Sequence, residues 1–230
     1  MNSLINNIIK RRVLITGASR GIGQAIAKRF ETESVELITP SRKELDLSSL
    51  DSVKSYLKSG KAGAVDVLVN VAGINKINSI DKILLEDWQE TLTTNLTAVF
   101  LLTQGLAPSM VAKNWGRIVN VSSIYGVLSR PGRAAYSASK AGLNGFTKAA
   151  ALEYGPHGIL VNAVCPGFVE TALTRKNNTE SQLQELASQT ALKRMAMPSE
   201  IAEFVAYLCS DKNTYITGQA LMIDGGFSAQ

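Results

Sequence analysis

Tyr136 and Lys140 stand four residues apart in YSASK, separated only by Ser, Ala and Ser. On a helix that spacing puts a phenol and an ammonium on one face. A nearby cation stabilises phenolate and draws a tyrosine pKa down from about 10 towards neutral pH. Such a tyrosine can exchange a proton with an alcohol or carbonyl oxygen. The same spacing also describes an ordinary surface contact, so the pentapeptide alone leaves both readings open. Upstream, Ser122 and Ser123 close the apolar run RIVNVSS, with Tyr136 thirteen residues beyond Ser123. Other chemistries are poorly provided for. The single histidine, His157, lies in YGPHGI and reads as a turn residue. Cys165 and Cys209 are far apart and fit no C-x-x-C pattern, so neither a disulfide framework nor a zinc site is expected. No metal is expected.

A second group of residues points to a nucleotide. TGASRGIG spans Thr16 to Gly23, with glycines at Gly17, Gly21 and Gly23, between a β-branched run and the helical pattern GQAIAKRF. Glycines there allow a tight turn and close backbone approach to a pyrophosphate, which rests on a helix N-terminus. After the second apolar run comes PSR, Pro40 to Arg42. Dinucleotide sites selective for NAD usually carry an acid here. Ser41 and Arg42 stand there instead, and a planar guanidinium suits a 2′-phosphate. The expected cofactor is therefore NADP(H), with NAD(H) second. An exposed surface arginine is the other reading of Arg42. Further polar or glycine-rich turns follow later runs: NVAG (Asn70 to Gly73) and PGFVET (Pro166 to Thr171).

The elements that must hold these turns alternate. Short runs at 12–16, 35–39, 65–69, 117–122, 159–164 and 220–224 alternate with helical patterns, the longest at 86–113 and 134–155. Runs apolar on both faces between helices predict a parallel sheet covered on both sides. The expected fold is α/β: a single-domain, doubly wound, Rossmann-type parallel sheet of six or seven strands, spanning 1–230. Ligands of such sheets sit beyond the carboxyl ends of the strands. One link is unusual. Too few residues separate the second run from ELDLS (44–48) for a helical crossover, so any strand there is a short edge fragment. A substrate lid is expected at about 171–196.

Composition limits the function classes. Of 230 residues, 45% are hydrophobic, enough for one large core, and the net charge of +5 is scattered without a basic block. Nucleic acid is not an expected partner. No apolar run approaches the roughly 18 residues of a membrane span, and the N-terminal residues lack a secretory pattern, so a cytoplasmic location is expected.

Taken together, TGASRGIG, NVAG, TNLTAVF, VSS, YSASK, PGFVET and ITGQALMIDGG occur in an order and at spacings that resemble the classical short-chain dehydrogenases/reductases over nearly the whole chain. In look the chain is most similar to 3-oxoacyl-[acyl-carrier-protein] reductases. The resemblance implies catalytic roles for Asn95, Ser123, Tyr136 and Lys140. Tyr136 would give the proton and Lys140 would lower its pKa and hold the nicotinamide ribose. Ser123 would bind the carbonyl oxygen, although Ser122 is its rival. Asn95 would hold a relay water, or simply brace its helix. Gly17, Ser19, Arg20, Gly21, Ile22 and Gly23 would line the phosphate turn. Asp46 and Leu47 would border the adenine, with Asp46 alternatively a plain helix-start residue. Asn70, Ala72 and Gly73 would meet the adenosine ribose. Pro166, Gly167, Val169 and Thr171 would flank the carboxamide. Val71 departs from the family's usual NNAG. His157 stands where acyl-carrier reductases often have a basic docking residue. Arg130 and Arg133, beside Tyr136, read equally as anion ligands or loop charges.

The function so implied is NADPH-dependent reduction of a small-molecule ketone, 3-oxoacyl thioesters leading, with a carrier-linked substrate compatible. A sugar or polyol dehydrogenase is the alternative enzyme, and a non-catalytic NADP-sensing regulator the alternative of another class. Pairing surfaces of the family type imply a homotetramer.

Overall fold

The computed structural model describes residues 10–176 and 178–229. Its six strands are β1 (Arg11–Thr16), β2 (Val35–Ile38), β3 (Val67–Asn70), β4 (Gly116–Val121), β5 (Ile159–Pro166) and β6 (Ala220–Ile223). All pair in parallel in the order β2-β1-β3-β4-β5-β6. The chain therefore winds outward from β1 to β2, then returns to β1's other side. That reversal leaves a crevice beyond the carboxyl ends of β1 and β3.

Strand alternation explains the two helical layers. Leu14, Leu68 and Ile118 face α2 (Leu50–Lys58), α4 (Ala98–Lys113) and α5 (Ala134–Tyr154). Val13, Ile15, Val67, Val69, Val119 and Val121 face α1 (Gly21–Glu31) and α8 (Pro198–Cys209). A period of two in each strand thus feeds a core on each side of the sheet.

Of the six or seven strands expected, six form, and 44–48 contributes none. Glu44 N–H and Leu45 N–H both donate to Ser41 O, at 3.0 and 2.9 Å, closing a turn. Leu45 and Leu47 then dip into the core, while Ser49 caps α2 through the Ser52 N–H. The pattern at 86–113 is also more than one plain helix. α3 (Leu85–Leu92) and α4 are joined by a π-helical turn, Thr93–Thr97, which widens the coil at Asn95. Within this rod of 29 residues an 18-residue window has mean hydropathy 1.2, enough by length and composition alone to cross a membrane, although no unbroken apolar run of that length occurs. Here its apolar side is engaged on the sheet through Leu102, Leu106 and Met110. His157 falls in a one-turn link before Gly158, as its turn-like surroundings suggest.

Candidate active site

The start of α5 gathers the proposed chemistry. Ser123 ends the tract after β4 in extended backbone, and its Oγ accepts a hydrogen bond from Tyr125 N–H at 3.1 Å. That uses an acceptor site and leaves the hydroxyl proton free to donate. Ser123 also hydrogen-bonds the Tyr136 phenol. Ser122 is turned inward instead, its Oγ donating to Lys140 O at 3.3 Å. The two serines are thereby told apart by which neighbour each meets.

Lys140 is buried, with Nζ donating to Val121 O at 2.7 Å and lying 5.7 Å from the Tyr136 ring centroid. Burial lowers its pKa to about 8, opposed only by the nearby Cys165. Burial also dominates at Tyr136, pushing the phenol above its ordinary value, while Ser123 and Arg133 pull the other way. This differs from the expectation that Lys140 makes the phenol acidic. Loss of water around the ring outweighs the cations beside it, so the resting tyrosine is held protonated.

Asn95, 1% exposed, is fixed on both sides. Its Oδ1 accepts from Ile74 N–H at 2.9 Å, and its Nδ2 donates to Ile74 O at 2.9 Å and Ser139 Oγ at 3.0 Å. A Cβ added to Gly73 would lie 3.1 Å from Asn95 Oδ1 and 3.6 Å from Lys140 Nζ, so the bare backbone there lets both side chains face one spot.

The nucleotide turns converge on the crevice. Gly17 has φ +70°, and a side chain there would strike the Ala72 backbone at 2.9 Å. A Cβ on Gly23 would lie 2.1 Å from Gly17 O. Ser19 and Arg20 are exposed before α1, whose first turn has neither a side-chain cap nor an acid. Ile22 packs beneath. A Cβ on Gly21, whose φ is +56°, would lie 3.5 Å from the Thr171 methyl, so this turn faces the tract after β5. These features suit a bound pyrophosphate: close backbone approach, free helix N–H groups and no competing carboxylate. Thr16 Oγ1 accepts from Val71 N–H and Ala72 N–H at 3.1 and 3.3 Å and so shapes the third strand's turn. Asn70 donates to Asn120 Oδ1 at 2.9 Å, while its own buried Oδ1 has no partner.

The 41–46 turn is more acidic in effect than its residues suggested. Ser41 N–H and Oγ–H both donate to one oxygen of Glu44, at 2.9 and 2.8 Å, which holds that carboxyl below its ordinary pKa. The Arg42 side chain, 78% exposed, pairs with Asp46 at 3.4 Å. Asp46 Oδ1 in turn accepts from Ser48 N–H and Oγ–H, so this residue also shapes the approach to α2. Leu47 is in the core.

Beyond β5, Gly167 comes so close to Asp224 that a Cβ would sit 2.8 Å from its Cα. Pro166 still pairs with Ile223. Buried Val169 forms a parallel bridge to Ala196, and Glu170 N–H donates to Ala196 O at 2.8 Å. The excursion expected as a lid is therefore clamped at its base. It holds α6 (Ala172–Lys176) and α7 (Glu180–Ser188), the latter started by a Thr179–Gln182 capping box.

Several supporting residues escaped the sequence reading. Asn120 Nδ2 donates to Thr147 Oγ1 at 2.9 Å, tying β4 to α5. Ser139 links Asn95 to Tyr136 O, at 3.0 and 2.7 Å. Asn144 holds Gly126 O at 3.1 Å. Their signal was polar type at buried positions, which needs the strand register and helix phase to be read.

Comparisons with known proteins agree with this architecture. The family model described as Enoyl-(Acyl carrier protein) reductase matches residues 43–228. The 3-oxoacyl-[acyl-carrier-protein] reductase FabG of Vibrio cholerae is 38% identical over 240 aligned residues, 96% of this chain and 98% of that protein. FabG of Escherichia coli is 38% identical over 233 residues, 93% and 95% of the two chains. Among solved structures, the ligand-free aldohexose dehydrogenase of Thermoplasma acidophilum superposes with TM-score 0.90 at 32% identity, covering 96% of this chain and 95% of that one. A short chain dehydrogenase family protein from Francisella tularensis gives TM-score 0.86 at 28% identity, covering 96% and 100%.

Proposed function

The chain belongs to the short-chain dehydrogenase/reductase family, and from that premise we propose that it reduces a ketone to a secondary alcohol with NADPH, 3-oxoacyl thioesters being the leading substrate class. The observation that carries this reading is the gathering of Ser123, Tyr136 and Lys140 at the start of α5, with Lys140 Nζ 5.7 Å from the Tyr136 ring centroid and Ser123 acting on the phenol.

When bound, the nicotinamide supplies the hydride. Ser123, with its acceptor side engaged by Tyr125 N–H, would donate a hydrogen bond to the carbonyl oxygen and polarise it, keeping its own proton. Tyr136, kept protonated by burial, transfers its proton to that oxygen as negative charge develops. Lys140, tethered to Val121 O, stabilises the phenolate left behind and holds the nicotinamide ribose. Asn95 is braced by Ile74 and Ser139; in this reading it also steadies a water that reprotonates the site through Lys140.

Gly17, Ser19, Arg20, Gly21, Ile22 and Gly23 would hold the pyrophosphate. Asn70, Ala72 and Gly73 would meet the adenosine ribose, Asp46 and Leu47 the adenine, and Pro166, Gly167, Val169 and Thr171 the carboxamide. Ser41 and Arg42 would take the 2′-phosphate, with Glu44 and Asp46 reducing the margin over NADH. The 171–196 excursion would close over the substrate. A cytoplasmic homotetramer is part of this proposal.

An open apolar groove of about 520 Å³, lined by Ile80, Ile83, Leu84, Leu85 and Trp88, reaches Ala134 at the first turn of α5 and in this reading would take an acyl chain better than a polyhydroxylated one. The likeness to an aldohexose dehydrogenase favours the second reading, a sugar or polyol dehydrogenase. NADPH consumption with acetoacetyl thioester, a small set of ketones and aldohexoses with NADP decides between them. Turnover of sugars alone favours the second reading, and turnover of nothing sinks both.

A further inference from the structure

We propose that Arg133, supported by Arg130, forms an oxyanion subsite of the reacting pocket, so that the ketone reduced here carries a carboxylate or phosphate close to its carbonyl. The inference rests on the ketone-reductase reading above and departs from its leading substrate class: a 3-oxoacyl thioester has no anion beside its ketone, whereas a 3-oxo acid or a phosphorylated ketone does.

Arg133 is the residue before α5 and is only 8% exposed. Its Nε and Nη1 are buried with no hydrogen-bond partner. Among the described residues neither Arg133 nor Arg130 forms an ion pair, although ten such pairs occur elsewhere in the chain. A buried guanidinium left without a counter-charge is a costly arrangement, and one whose donors await an acceptor.

The neighbourhood is cationic throughout. Arg133 and Arg130 lie 5.5 and 5.6 Å from the centroid of the same Tyr125 ring. Those contacts engage the ring face and leave the in-plane N–H donors free. The Tyr125 ring in turn meets the Tyr136 ring edge-on at 6.4 Å. The two cations are therefore one aromatic ring away from the reacting phenol. The first turn of α5 contains no acid, so its positive dipole end adds to the field. Burial and the like charge of Arg130 both depress the Arg133 pKa. The loop is also held in place: Asn78 N–H donates to Gly132 O at 3.2 Å, and Gly132 turns at φ +81°. A planar oxyanion would satisfy the orphaned donors, offset the repulsion and meet the helix terminus together.

The test uses substrate pairs that differ in one charge, assayed with NADPH. Acetoacetate against methyl acetoacetate probes a carboxylate; dihydroxyacetone phosphate against dihydroxyacetone probes a phosphate. For one pair at least, kcat/KM should favour the anion by about ten- to a hundredfold. Arg133→Gln should collapse that ratio towards one, because kcat/KM falls far more for the anionic member of the pair than for the neutral one. Arg133→Lys should restore part of it, and Arg130→Gln should weaken it less. Because the buried Nε and Nη1 of Arg133 have no hydrogen-bond partner among the described residues and its guanidinium lies over the Tyr125 ring face, its replacement should leave the melting temperature unchanged or raised. Equal use of both members by the wild type, or a ratio indifferent to Arg133, overturns the subsite. If no ketone is turned over, the reductase reading fails, and calorimetric titration of the NADP-loaded protein with the same two anions still decides. Binding abolished by Arg133→Gln supports the subsite; no binding, or binding unaffected by the substitution, overturns it.

Discussion

Burial pulls both Tyr136 and Lys140 towards their neutral forms, raising the phenol and lowering the ammonium to about 8. The tyrosine therefore keeps its proton at neutral pH, as the proposed proton donor must, and the lysine is the group that titrates first. As pH rises through about 8, the free enzyme loses the Lys140 cation while Tyr136 keeps its proton. kcat/KM for NADPH, which reports free-enzyme ionisations, should bend downward above about pH 8. Lys140→Arg keeps its charge throughout that range and should remove the bend, at a lower absolute rate. A wild-type profile flat across about pH 7 to 9 would contradict this assignment. Tyr136→Phe should lower turnover by about a hundredfold or more, since only the phenolic proton is lost. Nucleotide binding, followed by fluorescence titration, should stay within a few-fold, and activity near wild type would sink the role. The residue scale was partly legible in the chain itself. The YSASK spacing put Tyr136 and Lys140 on one helix face, and spacing favoured Ser123 with Ser122 as its rival; the structure sets Ser123 towards the phenol and Ser122 on Lys140 O. What spacing cannot carry is the balance of desolvation against charge, which reversed the expected direction at Tyr136.

At the scale of elements, the proposed preference for NADPH turns on the link after β2. In that reading a 2′-phosphate would bring close to two negative charges to Ser41 and Arg42. In the resting turn Ser41 is bound to Glu44 and Arg42 to Asp46, so each would have to leave a carboxylate to meet it. NADPH should still be preferred, because no acid ends β2 itself, but by a narrower margin than the residues alone suggest. Arg42→Ala should lower the ratio of kcat/KM for NADPH over NADH by about tenfold, the site being open to water and salt. Glu44→Gln should raise it by roughly two- to fivefold. Kinetics with both cofactors in the three proteins check this; a ratio that ignores both substitutions would make the turn a bystander. This element was also where pattern reading stopped short. The alternation of apolar runs and helices yielded all six strands to within a few residues. ELDLS kept the look of a strand because Leu45 and Leu47 alternate, yet both leucines serve a turn that dips into the core. The π-helical turn at Thr93–Thr97 likewise has no local sequence signature. It follows from Asn95 being held from outside the helix by Ile74 and Ser139.

For the whole molecule, the outward face of α5 argues for assembly. Ala138, Ala141, Gly145, Ala149 and Leu152 recur at three- and four-residue spacing and are all exposed. Leu152 is 80% exposed, and beside this stripe Phe100 of α4 is exposed and packs edge-on against Phe146 at 6.0 Å. Exposed Lys148 lies among these positions and Glu153 beside them, yet the rest of the stripe offers small side chains that let another helix approach closely and apolar ones to bury. At the far edge of the sheet Tyr215 is 95% exposed, which provides a second surface. Two different faces, each used isologously, generate a closed tetramer of two-fold symmetry. Light scattering should therefore give four times the 24.7 kDa chain mass. Leu152→Glu places a charge in the middle of the α5 face and should halve the assembly to a dimer held by the other surface, with the fold intact by circular dichroism. Activity should fall with it if the α5 pairing steadies Tyr136 and Lys140, which lie on the same helix. A mass of 24.7 kDa for the wild type at micromolar concentration would mean that the stripe is simply tolerated in water.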